Sequence, residues 1–266
     1  LGDVYKRQTY DKGAIRLFGE DMKPSRYDLK RRIGVVPQNV ALFEELTVRE
    51  NIDFFCALYV DDRRERARLV DEAIAFVGLE DYVKFRPRKL SGGLLRRLNI
   101  ACGIAHRPRL AFFDEPTVAV DPQSRNAILE GIRRMNAQGC TVVYTSHYME
   151  EVEEICSRIM IMDRGRSVAV GTNVELKALV GAGERIIVEV AALGDAVRGR
   201  LASLPHVRRV TYTEPELVVQ CEQGGHNVGD VLGVLADAGC AVGRVYAEPP
   251  TLNDVFLEIT GKELRD

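Results

Sequence analysis

Short apolar runs alternate with amphipathic segments between residues 32 and 170. This alternation is typical of βα units, so it predicts an α/β domain with a parallel sheet. Strands are predicted at residues 33–36, 110–113, 141–145, 159–162 and 167–170. Helices are predicted at residues 48–58, 65–77, 94–105 and 127–136, and Gly78 follows the second one as a left-handed cap. The uninterrupted runs at 110–113 and 141–145 predict strands that are buried, the first of them on both faces.

The pattern changes after residue 183, where helices alternate with single strands and a strand pair. Strands are predicted at 186–190, 207–213, 217–221 and 242–247, with helices at 196–204, 228–238 and 253–259. The first six of these elements follow the order βαββαβ, which is the ferredoxin-like plan of a small α+β domain. We therefore predict two domains, at residues 9–182 and 183–266.

Charge and composition exclude several classes of protein. The chain has 37 Lys and Arg against 39 Asp and Glu, so we expect no nucleic-acid partner. Arginine pairs at 63–64, 96–97 and 133–134 are predicted to lie on solvated helix faces. No run approaches 18 apolar residues and no secretory signal is recognisable, so we expect a cytoplasmic protein. Six scattered cysteines predict reduced core thiols, and we expect no metal held by side chains alone.

Two motifs carry candidate chemistry. Ser91, Gly92 and Gly93 stand directly before a predicted helix, where Ser91 can cap the helix and the glycines let N–H groups converge on an oxyanion. Asp114 and Glu115 follow the strand at 110–113, at the sheet edge where ligands bind in open parallel sheets. Asp114 suits a Mg²⁺ ion held largely through water, and Glu115 is suited to orient or deprotonate a water molecule.

Other strand ends point to the same edge. His147 follows the predicted strand at 141–145, and Gln38 follows the one at 33–36. A lone histidine at a strand end is more often a cap or a core residue. A parallel neighbour carrying Asp114 and Glu115 favours a functional role instead, because His147 would then face the same crevice.

In these motifs the chain resembles the ATP-binding subunits of ABC transporters from Thr9 onward. The matching segments are 35–38 (the Q-loop), 90–93 (the signature), 110–115 (the Walker B strand), 118–121 (the D-loop, with Asp121) and 146–147 (the switch-histidine loop). Segments 45–51 and 251–256 are similar to prokaryotic exporter ATPases of the daunorubicin-resistance type. Those proteins carry an additional C-terminal domain.

The resemblance implies a P-loop NTPase-like ABC ATPase that binds ATP and Mg²⁺ and works as a head-to-tail homodimer. Each ATP would lie between the phosphate loop of one subunit and Ser91, Gly92 and Gly93 of the other, with Asp121 at the same interface. Closure of this dimer would power a membrane-spanning permease that docks near the segment after Gln38. The expected location is the inner face of the cell membrane, to which the protein would bind peripherally.

The resemblance also implies a role for each residue at the sheet edge. Glu115 would polarise the attacking water, and His147 would contact the γ-phosphate. Asp114 and Gln38 would hold Mg²⁺ and water.

The chain departs from the family at the phosphate loop. No lysine is followed by Ser or Thr, so the motif G-x-x-x-x-G-K-[ST] does not occur. Residues 1–8 match nothing expected there and resemble a translated sequencing adaptor, so we expect them to be non-native and the domain to be N-terminally incomplete. We therefore expect this chain to be deficient in ATP hydrolysis and prone to aggregate. Leu94 and Ala119 are milder departures near the dimer face.

Two other readings remain open. A soluble ABC ATPase acting on nucleic acid or the ribosome usually has tandem cassettes, coiled-coil insertions or basic extensions, which this sequence lacks. A non-catalytic remnant or regulatory module would explain the missing phosphate loop, but the intact Glu115 and His147 favour a catalytic parent. The C-terminal domain would stabilise the dimer or sense a ligand. The sequence does not identify the cargo.

Overall fold

A computed structural model describes residues 12–179, 182–222 and 227–261. The chain divides into two compact units, the first ending at Glu151 and the second beginning at Val152. The domain boundary predicted between residues 182 and 183 stays a prediction. Residues 1–8 and Thr9, which the sequence analysis singled out, lie outside the described residues.

The first unit contains a parallel sheet and the helices around it. Its elements are β1 (Arg16–Leu17), β2 (Glu20–Asp21), α1 (Tyr27–Lys30), β3 (Ile33–Val36), α2 (Val48–Ala57), α3 (Arg63–Val77), α4 (Gly92–Ile104), β4 (Leu110–Asp114), α5 (Pro122–Ala137) and β5 (Thr141–Thr145). Strands β3, β4 and β5 pair in parallel, as predicted, and lie in that order in the sheet. The carboxyl ends of the three strands therefore lie at one edge.

Helices α2, α3 and α4 enclose the main core of this unit. Thr47 and Glu50 form a capping box at the start of α2, and Asp62 caps α3. Gly78 ends α3 with φ 66° and ψ 52°, which confirms the predicted left-handed cap. The fully buried large side chains of this core are Ile52, Leu79 and Leu98.

One face of the sheet departs from the predicted burial. Val35, Phe112 and Val143 lie in one row across the three strands. Phe112 is 36% exposed and Val143 is 40% exposed, so β4 is buried on one face only and β5 is not a buried strand. The reason is that α4 packs against β3 from one side, as the close approach of Gly34 to the Gly103 carbonyl shows, while this row borders an open groove of about 350 Å³.

Helix α6 (Met149–Ile155) carries the chain from the first unit into the second. The remaining elements are β6 (Ile159–Asp163), β7 (Arg166–Gly171), α7 (Asn173–Leu179), β8 (Ala182–Val190), α8 (Asp195–Ala202), β9 (Val207–Thr213), β10 (Glu216–Glu222), α9 (Val228–Asp237), β11 (Val242–Glu248) and α10 (Leu252–Thr260). Strands β6 and β7 form an antiparallel hairpin.

Strands β8 to β11 form a separate antiparallel sheet in the order β11-β8-β10-β9. This order, with α8 and α9 as the two crossovers, confirms the predicted ferredoxin-like βαββαβ plan. Helices α8 and α9 contribute Leu201 and Leu235 to a core shared with Val188 and Leu217 of the sheet. The α+β part of the predicted fold class is therefore correct.

Two further features of the fold concern the cysteines and the length of the helices. All six cysteines are free thiols, four of them buried. Among the described residues, no helix combines the length and the apolar character needed to cross a bilayer.

Candidate functional site at the carboxyl edge of the parallel sheet

The carboxyl ends of the three parallel strands bring Gln38, Glu115 and His147 together. Nε2 of Gln38 donates a hydrogen bond to Oε2 of Glu115. The other oxygen, Oε1, lies 3.2 Å from Nδ1 of His147. The Glu115 side chain is 27% exposed and that of His147 is 36% exposed, so both can reach a ligand in the crevice. Each oxygen of one carboxylate thus contacts a different strand end.

The backbone at Glu115 leaves β4 through a sharp turn. Glu115 has φ +45°, which is uncommon for a residue with a side chain and costs on the order of 1–3 kcal/mol. Its N–H donates to the carbonyl oxygen of Thr145 at 3.1 Å, so β5 holds the turn in place. This turn is what aims the Glu115 carboxylate at His147 instead of continuing the strand.

Thr145 fixes both acidic residues, a role that was not predicted from the sequence. Its Oγ1 donates to Oδ1 of Asp114 at 2.8 Å and accepts from the N–H of Glu115 at 3.2 Å. The available signal was its position as the last residue of a predicted strand, directly beside the Asp114 strand. A valine of similar shape could make neither hydrogen bond.

Helix α4 anchors the segment that carries Gln38. The carbonyl oxygen of Pro37 accepts hydrogen bonds from Arg96 Nη1 and Asn99 Nδ2, both at 3.1 Å. Arg96 is buried, so its predicted place on a solvated helix face is wrong. Burial lowers the pKa of Arg96, against the carboxylates of Asp114 and Glu115, which raise it. The Arg96 side chain lies in the interior because its guanidinium group donates a hydrogen bond to the Pro37 carbonyl oxygen there.

The other arginine pairs behave differently from Arg96. Arg63, Arg64, Arg133 and Arg134 are exposed, which confirms their predicted place on solvated helix faces. Arg97 is half-buried, and its Nη2 donates to Oγ of Ser124 at 3.3 Å.

The signature residues form a second cluster with Asp121. Ser91 is the N-cap of α4, and its Oγ accepts from the N–H of Leu94 at 3.4 Å. Ser91 and Gly92 are exposed, whereas Gly93 is buried against Ser124 and Asp121 at the start of α5. The structure thus leaves one end of the signature open and packs the other.

Asp121 has a structural role in this cluster. It is the N-cap of α5, and its Oδ1 accepts from the N–H of Ser124 at 2.9 Å. That hydrogen bond holds the pKa of the Asp121 carboxyl below its usual value.

The donor set at the sheet edge fits a magnesium ion. Mg²⁺ binds oxygen atoms and is usually held by one or two carboxylates, substrate phosphates and water. Asp114 and Gln38 supply a carboxylate and an amide oxygen at this edge. In the part of the chain that the structure describes, no group of three or more His, Cys, Asp or Glu side chains could hold a metal ion. Two ligands of this kind leave coordination positions for water and substrate phosphates.

Comparisons with protein families match both parts of the chain. Residues 4–118 match the family model described as ABC transporter. Residues 171–260 match the model described as ATP-binding protein DrrA1-3-like, C-terminal domain. The second match covers β8 to β11, the ferredoxin-like sheet.

Individual proteins that are similar to this chain are also named ATP-binding proteins or subunits. The linearmycin resistance ATP-binding protein LnrL of Bacillus subtilis (strain 168) is 38% identical over 260 residues, covering 97% of this chain and 83% of that protein. The daunorubicin resistance ATP-binding protein DrrA3 of Streptomyces coeruleorubidus is 36% identical, covering 96% of this chain and 80% of that protein. A solved ATP-binding subunit of an ABC transporter aligns with TM-score 0.58 and 26% identity, covering 64% of this chain and 71% of that chain.

These similarities place the chain in the ABC ATPase family. Within that family, the chain belongs to the ATP-binding subunits of ABC transporters that carry a DrrA-type C-terminal domain. Proteins of this family bind ATP with Mg²⁺ and work with membrane permease subunits. The P-loop NTPase-like fold class predicted from the sequence is confirmed.

Proposed function

We propose that this chain represents the ATP-binding subunit of an exporter, in which ATP-driven closure of a homodimer powers a membrane-spanning permease. The observation that carries the proposal is the contact of one Glu115 carboxylate with both Gln38 and His147. Three strand ends, far apart in sequence, converge at Glu115, an acid that is suited to act on water. The relatives named for resistance to linearmycin and daunorubicin support an export role.

In the proposed mechanism, Glu115 orients the attacking water and accepts its proton. His147, which contacts the Glu115 carboxylate in the structure, would contact the γ-phosphate when ATP is bound. Gln38 and Asp114 would hold Mg²⁺, which would offset the negative charge of the phosphates. Thr145 keeps Asp114 and Glu115 at a fixed separation through its hydroxyl group.

The signature acts on the partner's nucleotide in this proposal. The exposed Ser91 and Gly92 offer a hydroxyl and backbone N–H groups at the start of α4, where the helix dipole favours an anion. Asp121 lies beside buried Gly93, so the D-loop and the signature of one chain would enter the dimer interface together.

The permease would dock on the segment that follows Gln38. Val40 and Phe43 in this segment are exposed, and Phe43 stacks edge-on against exposed Phe54 at 4.7 Å between ring centroids. Buried Asn51 fixes the segment, because its side chain bonds both the N–H and the carbonyl oxygen of Phe43. An exposed aromatic surface on a rigid support suits protein binding.

The chain as printed contains no G-x-x-x-x-G-K-[ST] motif, so we propose that it hydrolyses ATP poorly by itself. Without that loop and its lysine, much of the charge compensation for the β- and γ-phosphates is missing. Reading the source DNA upstream of the codon for Thr9 tests whether the motif is encoded in frame.

A chimera tests the catalytic proposal directly. The phosphate-loop segment of LnrL is joined ahead of Thr9, and ATP turnover is compared with that of the 266-residue chain. We expect turnover in the chimera only, and a loss of about 10²–10⁴-fold on Glu115→Gln. Glu150→Gln, an exposed acid on α6, is the control and should leave turnover unchanged. A chimera that binds ATP and ignores Glu115→Gln would contradict the proposed role.

A further inference from the structure

The carboxylate of Glu151, in α6, is fully buried and accepts hydrogen bonds from several segments. Its side chain is 0% exposed. Oε2 accepts from Tyr144 Oη at 2.5 Å, from Thr117 Oγ1 at 2.8 Å and from Ser146 Oγ at 3.2 Å. Oε1 lies 2.6 Å from Nε of Arg125, which supplies the opposite charge. A buried carboxylate with this many partners strongly favours one arrangement of them.

The four partners come from the segments that carry the proposed catalytic groups. Thr117 lies two residues after Glu115, and Ser146 directly precedes His147. Arg125 lies in the first turns of α5, which Asp121 caps. Tyr144 belongs to β5, one residue before Thr145. Glu151 thus contacts the loop after β4, the loop after β5 and the start of α5 at the same time.

We propose that Glu151 is a positioning residue, which holds the loops after β4 and β5 together so that Nδ1 of His147 meets the Glu115 carboxylate. The inference rests on the proposed function, because it concerns the geometry of the same site. Glu151 is four residues from His147 and bonds the hydroxyl group of the residue before it. That hydroxyl also accepts from the N–H of Tyr148 at 3.0 Å, so residues on both sides of His147 are fixed through Ser146.

The tautomer of His147 reports this geometry without ATP. A carboxylate oxygen can only accept, so a neutral imidazole facing Glu115 must carry its proton on Nδ1. Nitrogen NMR of the 266-residue chain labelled with ¹⁵N-histidine measures the ratio of the Nδ1–H to the Nε2–H form. The pH is set well above about 6.5, the ordinary pKa of imidazole. A His147→Ala variant assigns the signal, and Glu115→Ala gives the ratio without the contact.

We expect Glu151→Gln to lower the ratio of Nδ1–H to Nε2–H about tenfold, as losing a hydrogen bond to a charged group would. Glu150→Gln removes the same charge from an exposed neighbour and should leave the ratio unchanged. Tyr144→Phe removes a single donor to Glu151 and should lower the ratio by a smaller factor. Tyr144→Phe keeps the test decisive if Glu151→Gln fails to fold by circular dichroism.

An unchanged ratio in a folded Glu151→Gln variant, or in Tyr144→Phe where Glu151→Gln does not fold, would overturn the positioning role. A ratio that does not respond to Glu115→Ala would also overturn it, since the contact being positioned would then be absent. Neither result decides the proposed ATPase function, which the chimera tests by turnover. Conversely, an inactive chimera leaves the tautomer measurement and its interpretation intact.

Discussion

Gly93 and Asp121 face each other so closely that a Cβ atom on Gly93 would lie 2.9 Å from Oδ2 of Asp121 and 3.1 Å from Cβ of Ser124. Asp121 and Ser124 have little freedom to move, because they form the N-cap hydrogen bond of α5. We predict that Gly93→Ala lowers the free energy of unfolding by about 1–3 kcal/mol through overpacking.

Gly92→Ala is the matched control for this prediction. A Cβ on Gly92 would meet no atom within 4 Å, so the free energy of unfolding should change by less than about 1 kcal/mol. Urea denaturation of both variants measures the difference. Equal effects of the two substitutions would show that the contact between the starts of α4 and α5 is loose in solution.

Ala119 occupies the left-handed region with φ +57°. That conformation costs an L-residue roughly 1–2 kcal/mol, and glycine relieves it while adding about 0.5–1 kcal/mol of backbone entropy cost. We therefore predict that Ala119→Gly raises the free energy of unfolding by about 0.5–1 kcal/mol. Ala127→Gly, on the exposed side of α5, should lower it by about 1 kcal/mol. Thermal and urea unfolding of both variants check the opposite signs.

Glu153 makes the free energy of unfolding depend on pH in the acid range. Burial raises its pKa, but hydrogen bonds from Lys177 Nζ and Leu252 N–H, both at 2.6 Å, outweigh burial and hold the pKa below 4.5. A pKa lowered by folding contributes stability above the unfolded value and loses it as the pH falls through the folded value.

Glu153→Gln should therefore cost about 1–2 kcal/mol at neutral pH and make the loss of stability below pH 4.5 less steep. Urea unfolding at a series of pH values measures both effects. Glu150→Gln should reproduce the wild-type pH profile, because Glu150 is exposed. Parallel profiles for wild type and Glu153→Gln would contradict the assignment.

Cys56 should resist alkylation in the folded protein. Burial raises the pKa of its thiol to about 11, so its reactive thiolate fraction at pH 7 is about 10⁻⁴. Mass spectrometry after iodoacetamide treatment should find half-buried Cys240 modified well before Cys56. In denaturant the two rates should become similar. A native Cys56 that reacts as fast as Cys240 would show that the core around α2 opens readily.

Local signals in the sequence predicted most of the helices and strands, but they placed the starts of some helices several residues too late. Helices α4 and α5 begin earlier than predicted, at Gly92 and Pro122, because Ser91 and Asp121 cap them. Both signals were readable, since Ser91 and Asp121 are residue types that cap helices and Asp121 is also followed by Pro122. Helices α6 and α7 were missed, as each is only seven residues long.

The candidate site was also predicted from the sequence only in part. The convergence of Gln38, Glu115 and His147 follows from one rule, that parallel strands end at the same edge. Arg96 and Thr145 could not be assigned in this manner, because their roles depend on which backbone group or carboxylate tertiary packing brings near them. The exposure of Phe112 has the same origin, since strand composition cannot say which face a helix covers.

The pairing of Gln38 with Glu115 has a consequence for the order of folding. The two residues are 77 positions apart in the sequence, so their contact closes a long loop. Helices α2, α3 and α4 lie inside that loop and pack on one another. They can therefore form a compact helical nucleus before strands β3 and β4 pair. The edge that carries the chemistry is then completed among the last parts of the first unit, and a nascent chain would expose it longest to chaperones.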